Sequence, residues 1–347
     1  MRRLLTRLAW GLAFLAVLPA CSRMLFYPEP QLLGTPDQLG MEYRDAIFTS
    51  SDGVVLNGWF LPARKNTGGN SGQPGGRPAR ETARGTARGT VLFLHGNAQN
   101  LSYHFGAVSW LPDQGYNVFL FDYRGFGRSG GKRGLAGAIR DASAALAHLR
   151  ARPDVDPERL IVFGQSIGAA IAVDMVTRNE RDGIRALILE SPPASYRRIA
   201  REKLGGFFLT WPLQWPLSWL IPDRDSPERL IARVAPMPLL VVHGDADRVV
   251  PMRHGETLFA AAGPPKWFWR IPGGNHIEAF LPTRPAWREQ LLTFMDDALA
   301  GRLETTPENM PENMPDAGAA PPAVYNGPHD DSPRPAPPIP APVTARY

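Results

Sequence analysis

The sequence predicts an α/β fold in which a mostly parallel central sheet is covered by helices on both faces. Two observations predict it. Short apolar runs of strand length alternate along most of the chain with stretches of helical pattern, which is how parallel strands joined by crossover helices read. A chain of 347 residues, 44% hydrophobic and 20% charged, also carries enough apolar surface to bury one large core or two modest ones.

Taken in order, EYRDAIFTSSDGVVLNGWFLPA reads as two strands around the turn Ser51, Asp52, Gly53, with β-branched and aromatic residues alternating with polar ones. Residues 64–89 then fall to Gly, Arg, Asn, Thr and Pro, a composition that cannot bury apolar area, and are expected to be a mobile surface insertion. The alternation follows: strand TVLFLHG, helix-compatible LSYHFGAVSWLPDQG, strand NVFLFDY, helix GAIRDASAALAHLRAR, strand RLIVFG, helix IGAAIAVDMVTRN and strand IRALILES. Residues 192–235 interrupt it with FFLTWPLQWPLSWLIPDRDSPERLI and are read as a small cap insertion. PLLVVHG, a helix near 253–262, KWFWRIPG and a last helix near 284–301 resume the rhythm. Residues 303–347 carry dense proline and a repeated PENM, so they read as a disordered or extended tail, and the globular domain is expected over 42–301.

The N-terminus has a different logic. Arg2, Arg3 and Arg7 precede an apolar run from Leu8 to Ala20, which ends at Cys21. This is the layout of an export signal over residues 1–20, because the run is shorter than the roughly 20 residues that span a bilayer. Its end resembles the lipobox of bacterial lipoproteins, which implies lipidation of Cys21. An uncleaved anchor with an incidental cysteine is the other reading. Ser22 is not the aspartate that commonly retains lipoproteins in the inner membrane, so the resemblance implies a lipid anchor in the bacterial cell envelope, at the outer membrane facing the periplasm. With Cys21 the sole cysteine, no disulfide is expected, and the fold must rest on its core. The formal charge of +5 comes from scattered arginines rather than a cluster, which argues against nucleic acid as a partner. Seven histidines without an H-x-x-x-H pair point to no metal site, and no cofactor is expected.

Two segments fit G-x-S-x-G, GRSGG at 127–131 and GQSIG at 164–168. Ser129 lies several residues past its strand, and glycines surround it. Ser166 follows LIVFG without a spacer and precedes Ile167 and then Gly168, Ala169 and Ala170, small residues that let a helix pack tightly. A nucleophile elbow needs that second context, a sharp strand-to-helix turn with glycines where neighbouring backbone comes close. Ser166 is therefore the expected nucleophile and Ser129 a turn serine. Gly125, Gly127 and Gly130 also fit G-x-G-x-x-G, but Asp122, Tyr123 and Arg124 separate that motif from its strand, so a dinucleotide site is not expected.

A serine hydroxyl needs a base, and the base needs an acid to fix its tautomer. His276 follows a strand and a Gly-Gly-Asn loop and is the expected base, whereas His254, one turn into a helix, reads as a surface residue. For the acid, Asp245 and Asp247 share one loop, and the residues alone leave the two nearly equal. LHGNAQN, DYRGFGRSGG, GQSIG, HGDADRVVP and GGNH occur in that order. Together they resemble the serine α/β-hydrolases related to the Bem46, ABHD13 and ABHD17 proteins, over roughly residues 42–300. The resemblance implies that Asp247 is the triad acid and that His95 shapes its loop. An oxyanion hole needs two backbone N–H groups, expected from Ile167 and Asn97.

In the cap, Trp211, Trp215 and Trp219 recur every fourth residue. They read first as core covering the open end of the sheet, and alternatively as the lining of an acyl pocket or a face against a membrane. The expectation is a membrane-tethered serine hydrolase acting on a small-molecule or lipid-like carboxylic ester or thioester, its oligomeric state open. A serine peptidase and a non-catalytic envelope lipoprotein using the fold as a binding scaffold are the competing readings.

Overall fold

A computed structural model describes residues 25–64, 87–178, 181–206, 208–221 and 223–303. The expected signal segment with Cys21, nearly all of the 64–89 insertion and the tail beyond 303 lie outside the described residues.

Eight strands form the main sheet: β1 Arg44–Thr49, β2 Val55–Leu61, β3 Gly89–Leu94, β4 Tyr116–Phe121, β5 Leu160–Gln165, β6 Ile184–Glu190, β7 Leu239–Gly244 and β8 Lys266–Ile271. Their spatial order is β1-β2-β4-β3-β5-β6-β7-β8. β1 runs antiparallel to β2 and β2 antiparallel to β4; every other neighbouring pair is parallel. The hairpin of β1 and β2 turns where expected, with Gly53 at a φ of 82°, a left-handed value that glycine adopts without steric cost. The central strands are apolar on both sides because both sides are covered. β3, β4, β5 and β7 are buried at every residue.

Alternate residues of these strands feed two cores. Leu92, Phe119, Val162, Leu187 and Val241 pack with helices α1 (Leu135–Arg150) and α2 (Ile167–Arg178) on one face. Val91, Phe93, Leu120, Phe163 and Val242 pack on the other face with the last helix, α6 (Pro285–Leu299), through Leu291, Phe294 and Met295. Each such side chain contributes about 1.5–3 kcal/mol by leaving water, so the sheet has no need of a cross-link.

Between β6 and β7 the expected cap insertion contains α3 (Tyr196–Gly205), a turn at Trp211–Leu213 and α4 (Gln214–Trp219); α5 (Arg253–Ala261) follows β7. Two expectations need correction. LSYHFGAVSWLPDQG does not form one helix; it breaks into turns at Leu101–His104, Phe105–Ala107 and Pro112–Gln114, since Gly106 favours no helix and Pro112 has no N–H to continue one. His254 is not a surface residue but fully buried. Its Nδ1 accepts the Ala194 N–H at 3.0 Å, and its Nε2–H donates to Glu202 at 3.0 Å, so it bolts α5 to the root of the cap.

Candidate active site

In a parallel sheet the C-terminal ends of the strands lie on one edge, and every residue expected to be catalytic follows such an end. Ser166 follows β5 and opens α2. Its φ of 53° is rare for a residue with a side chain and costs on the order of 1–3 kcal/mol. The elbow is held from both sides. Ser166 N–H donates to the Glu190 carbonyl at 2.9 Å, continuing the β5–β6 ladder one residue past the strand. A Cβ on Gly164 would stand 2.6 Å from the Ala169 Cα, and one on Gly168 2.2 Å from the Leu94 carbonyl oxygen. The two glycines of the motif are therefore where α2 closes on β5 and on β3. Ser129 is built otherwise: its hydroxyl donates to the Asp122 carbonyl at the end of β4 at 2.7 Å and accepts the Asn57 N–H of β2 at 2.9 Å, which pins the glycine loop to the sheet.

His276 and Asp247 meet. The Nδ1 of His276 lies 2.8 Å from Asp247 Oδ2, while Asp247 Oδ1 accepts the N–H groups of Val249 and Val250 at 2.8 Å each. His243, on β7, stands below with its Nε2–H donated to the Val250 carbonyl at 2.7 Å and 3.4 Å from Asp247 Oδ2. Burial alone pushes the Asp247 carboxyl up. The hydrogen bonds from His243, His276 and the Val250 amide outweigh burial and hold it well below the usual carboxylate range. An ionised acid at Nδ1 keeps the proton there, so Nε2 is the nitrogen left to accept another. Asp245 turns away from the histidine, accepting the Gly273 N–H at 2.8 Å and pairing with Arg270 at 3.2 Å.

The loop after β3 faces the elbow: a Cβ on Gly96 would sit 3.9 Å from Ser166 Cβ. Asn97 spends its side chain and carbonyl on the first described residues, donating Nδ2–H to Leu25 O at 3.0 Å and accepting the Tyr27 N–H at 2.7 Å. What this loop offers a bound carbonyl is therefore backbone. Ile167 is the first residue of α2, one of the amides that no carbonyl within a helix satisfies. His95 is fully buried, with Nδ1 at 2.8 Å from the Gly96 carbonyl and the Tyr123 ring against it at 4.6 Å. Trp211, Trp215 and Trp219 are not core, at 61%, 55% and 69% exposed.

Three supporting residues escaped the sequence reading. Glu190, fully buried at the end of β6, accepts the Ala279 N–H at 2.9 Å and the Gln165 Nε2–H at 2.7 Å. Burial raises its carboxyl above the usual range against the pull of those bonds. It thus holds the His276 loop through its side chain and Ser166 through its carbonyl. Ser191 beside it takes the Ile277 N–H at 3.3 Å. His104 donates Nε2–H to the Ala98 carbonyl at 3.0 Å and stacks on His95 at 5.3 Å; burial, helped by His95 and His276, pushes it down to about 4. Glu190 reads as an ordinary polar residue closing a strand. His104 falls in a stretch whose helical pattern hides that its ring turns back to the loop.

Comparisons with known proteins define the family. Residues 85–232 match the Hydrolase_4 family model, described as serine aminopeptidase. The uncharacterized protein YfhR of Escherichia coli is 40% identical over 275 residues, covering 79% of this chain and 87% of the relative. The chain belongs to the α/β-hydrolase family. The Arabidopsis thaliana α/β hydrolase domain-containing protein WAV2 is 31% identical over 295 residues, covering 82% of this chain and 86% of that one. Among solved structures, the Pyrococcus furiosus esterase Pf2001 superposes with a TM-score of 0.59 at 24% identity, over 78% of this chain and 97% of the esterase, a likeness of fold.

Proposed function

We propose that the chain is a serine hydrolase that cleaves carboxylic esters or thioesters through an acyl-enzyme, working from a lipid tether at Cys21 in the cell envelope. The observation that supports it most is the His276–Asp247 bond of 2.8 Å on the same sheet edge as a serine held at a φ of 53°. In this reading His276 Nε2 removes the Ser166 proton as Oγ attacks the carbonyl carbon. The amides of Ile167 and Asn97 receive the developing oxyanion. Collapse expels an alkoxide or thiolate, which takes the proton from His276. Water, deprotonated by the same nitrogen, then attacks the acyl-serine and releases the acid.

A fluorophosphonate probe tests the nucleophile: the native protein is labelled and Ser166→Ala is not. Labelling that survives the substitution overturns the assignment, and a native protein that never labels favours the binding-scaffold reading. The family description as a serine aminopeptidase favours a second reading, hydrolysis of amides at a peptide N-terminus. Turnover of p-nitrophenyl esters, acyl thioesters and aminoacyl amides compared on one preparation separates the two. The tether is checked by the mass of the mature N-terminal peptide, which carries acyl chains in the native protein and none in Cys21→Ser.

A further inference from the structure

We propose that the cap segment 208–221 is a bilayer-docking face, which turns the Ser166 edge of the sheet toward lipid. The segment is apolar and open to solvent. Leu209, Trp211, Leu213, Trp215, Leu217 and Trp219 are all exposed, from 37% to 69%. Residues 204–222 contain no Asp, Glu, Lys or Arg. Contiguous apolar surface of this kind on a folded domain marks a contact with a partner or a membrane, and tryptophan beside leucine suits the interface between acyl chains and headgroups.

The flanking charges fit an anionic lipid surface. Lys203 and Arg224 border the apolar stretch and are exposed. Arg201 lays its guanidinium on the Trp215 ring at 4.3 Å, the posture of a cation that covers apolar surface while its charge stays in water. The neighbouring carboxylates have partners: Glu202 pairs with Arg253 at 2.8 Å and with His254, buried Asp223 accepts the Ser195 hydroxyl at 2.7 Å and that of Ser226, and the half-exposed Asp225 pairs with Arg178 at 3.0 Å.

The chain's own attachment selects the bilayer over other occupants, and here the inference rests on the tether of the proposed function. The first described residues run along the oxyanion loop. Tyr27 and Pro28 pair in parallel with Ala98 and Gln99, and Phe26 is buried edge-on against Phe126 at 5.9 Å. Cys21 precedes Leu25 by four residues, a reach of at most about 14 Å. An anchor there brings the bilayer to the edge from which the cap also rises, since the cap follows β6 and the oxyanion loop follows β3.

The test uses the full chain. Cys21→Ser leaves it without cysteine and keeps the apolar run, and single cysteines are then placed at Leu213→Cys or, on the opposite edge before β5, at Glu158→Cys. Each carries an environment-sensitive nitrobenzoxadiazole label. With vesicles of phosphatidylethanolamine and phosphatidylglycerol, the Leu213 label is expected to brighten several-fold, shift to the blue and be quenched by spin-labelled acyl chains. The Glu158 label is expected to stay unchanged, and thermal melts to match the parent. A Leu213 label that remains water-like on protein that sediments with the vesicles overturns the docking face while leaving the tether standing. Protein that fails to sediment overturns the docking face; the tether, which this variant lacks, is read from the mass of the native N-terminal peptide. A Leu213 response without vesicles, rising with protein concentration alongside a dimer mass in light scattering, overturns the proposal in favour of a second copy of the chain. Fluorophosphonate labelling of Ser166 in the same samples reads the hydrolase chemistry separately.

Discussion

His104 is expected to make the loop after β3 sensitive to acid. The ring is neutral because burial, together with His95 and His276, lowers it from 6.5 to about 4, against the opposing pull of the Ala98 carbonyl. The unfolded chain takes up the proton near 6.5, the folded protein only near 4, so stability present above 6.5 is lost as pH falls through that interval. A drop of this size corresponds to roughly 3 kcal/mol at about 1.4 kcal/mol per pH unit. His104→Gln keeps a side-chain N–H for the Ala98 carbonyl and removes the titration. Paired urea melts from about pH 7.5 to about pH 4 are expected to show the wild type losing roughly 3 kcal/mol relative to the variant, with the change centred between the two values. A stability gap that stays constant with pH refutes the reasoning.

Three further outcomes follow from the geometry. Asp247→Asn is expected to lower kcat roughly ten-thousandfold by offering the wrong hydrogen-bonding partner to Nδ1, while Asp245→Asn, which loses only the exposed Arg270 pair, changes it a few-fold; steady-state ester hydrolysis distinguishes them. Gly168→Ala forces a carbon to 2.2 Å from the Leu94 carbonyl, so α2 must retreat by about 1 Å, a displacement expected to cost roughly a hundredfold in kcat/KM and about 1–3 kcal/mol in urea melts. Glu190→Gln keeps the acceptor for Ala279 and removes a charge. Because burial raises the carboxyl above its ordinary 4.5, the wild type should be most favoured below that value and lose ground to the variant as pH rises toward neutrality, read by paired melts.

The strands and the elbow were legible because their physics is local. A run such as LIVFG followed by small residues announces both a buried strand and a helix that must lie close. The rings of His104 and His254 were not legible, since each lies on a segment of helical pattern while its meaning depends on a partner elsewhere: the Ala98 carbonyl six residues away, and Glu202 fifty-two residues away. Spacing alone did not separate Asp245 from Asp247; which carboxylate faces His276 depends on how the loop folds, with Val249 and Val250 turning their amides onto Asp247. The tryptophans show the opposite failure. Their periodicity is genuine, but hydrophobicity in a sequence does not say whether the apolar face looks inward or out.

Glu190 binds Ser166 through its carbonyl and the His276 loop through its carboxyl. One residue thus ties together the two segments that carry Ser166 and His276. A shift at the end of β6 is therefore expected to carry Ser166 and the His276 loop together, so that the proposed nucleophile and base move in step.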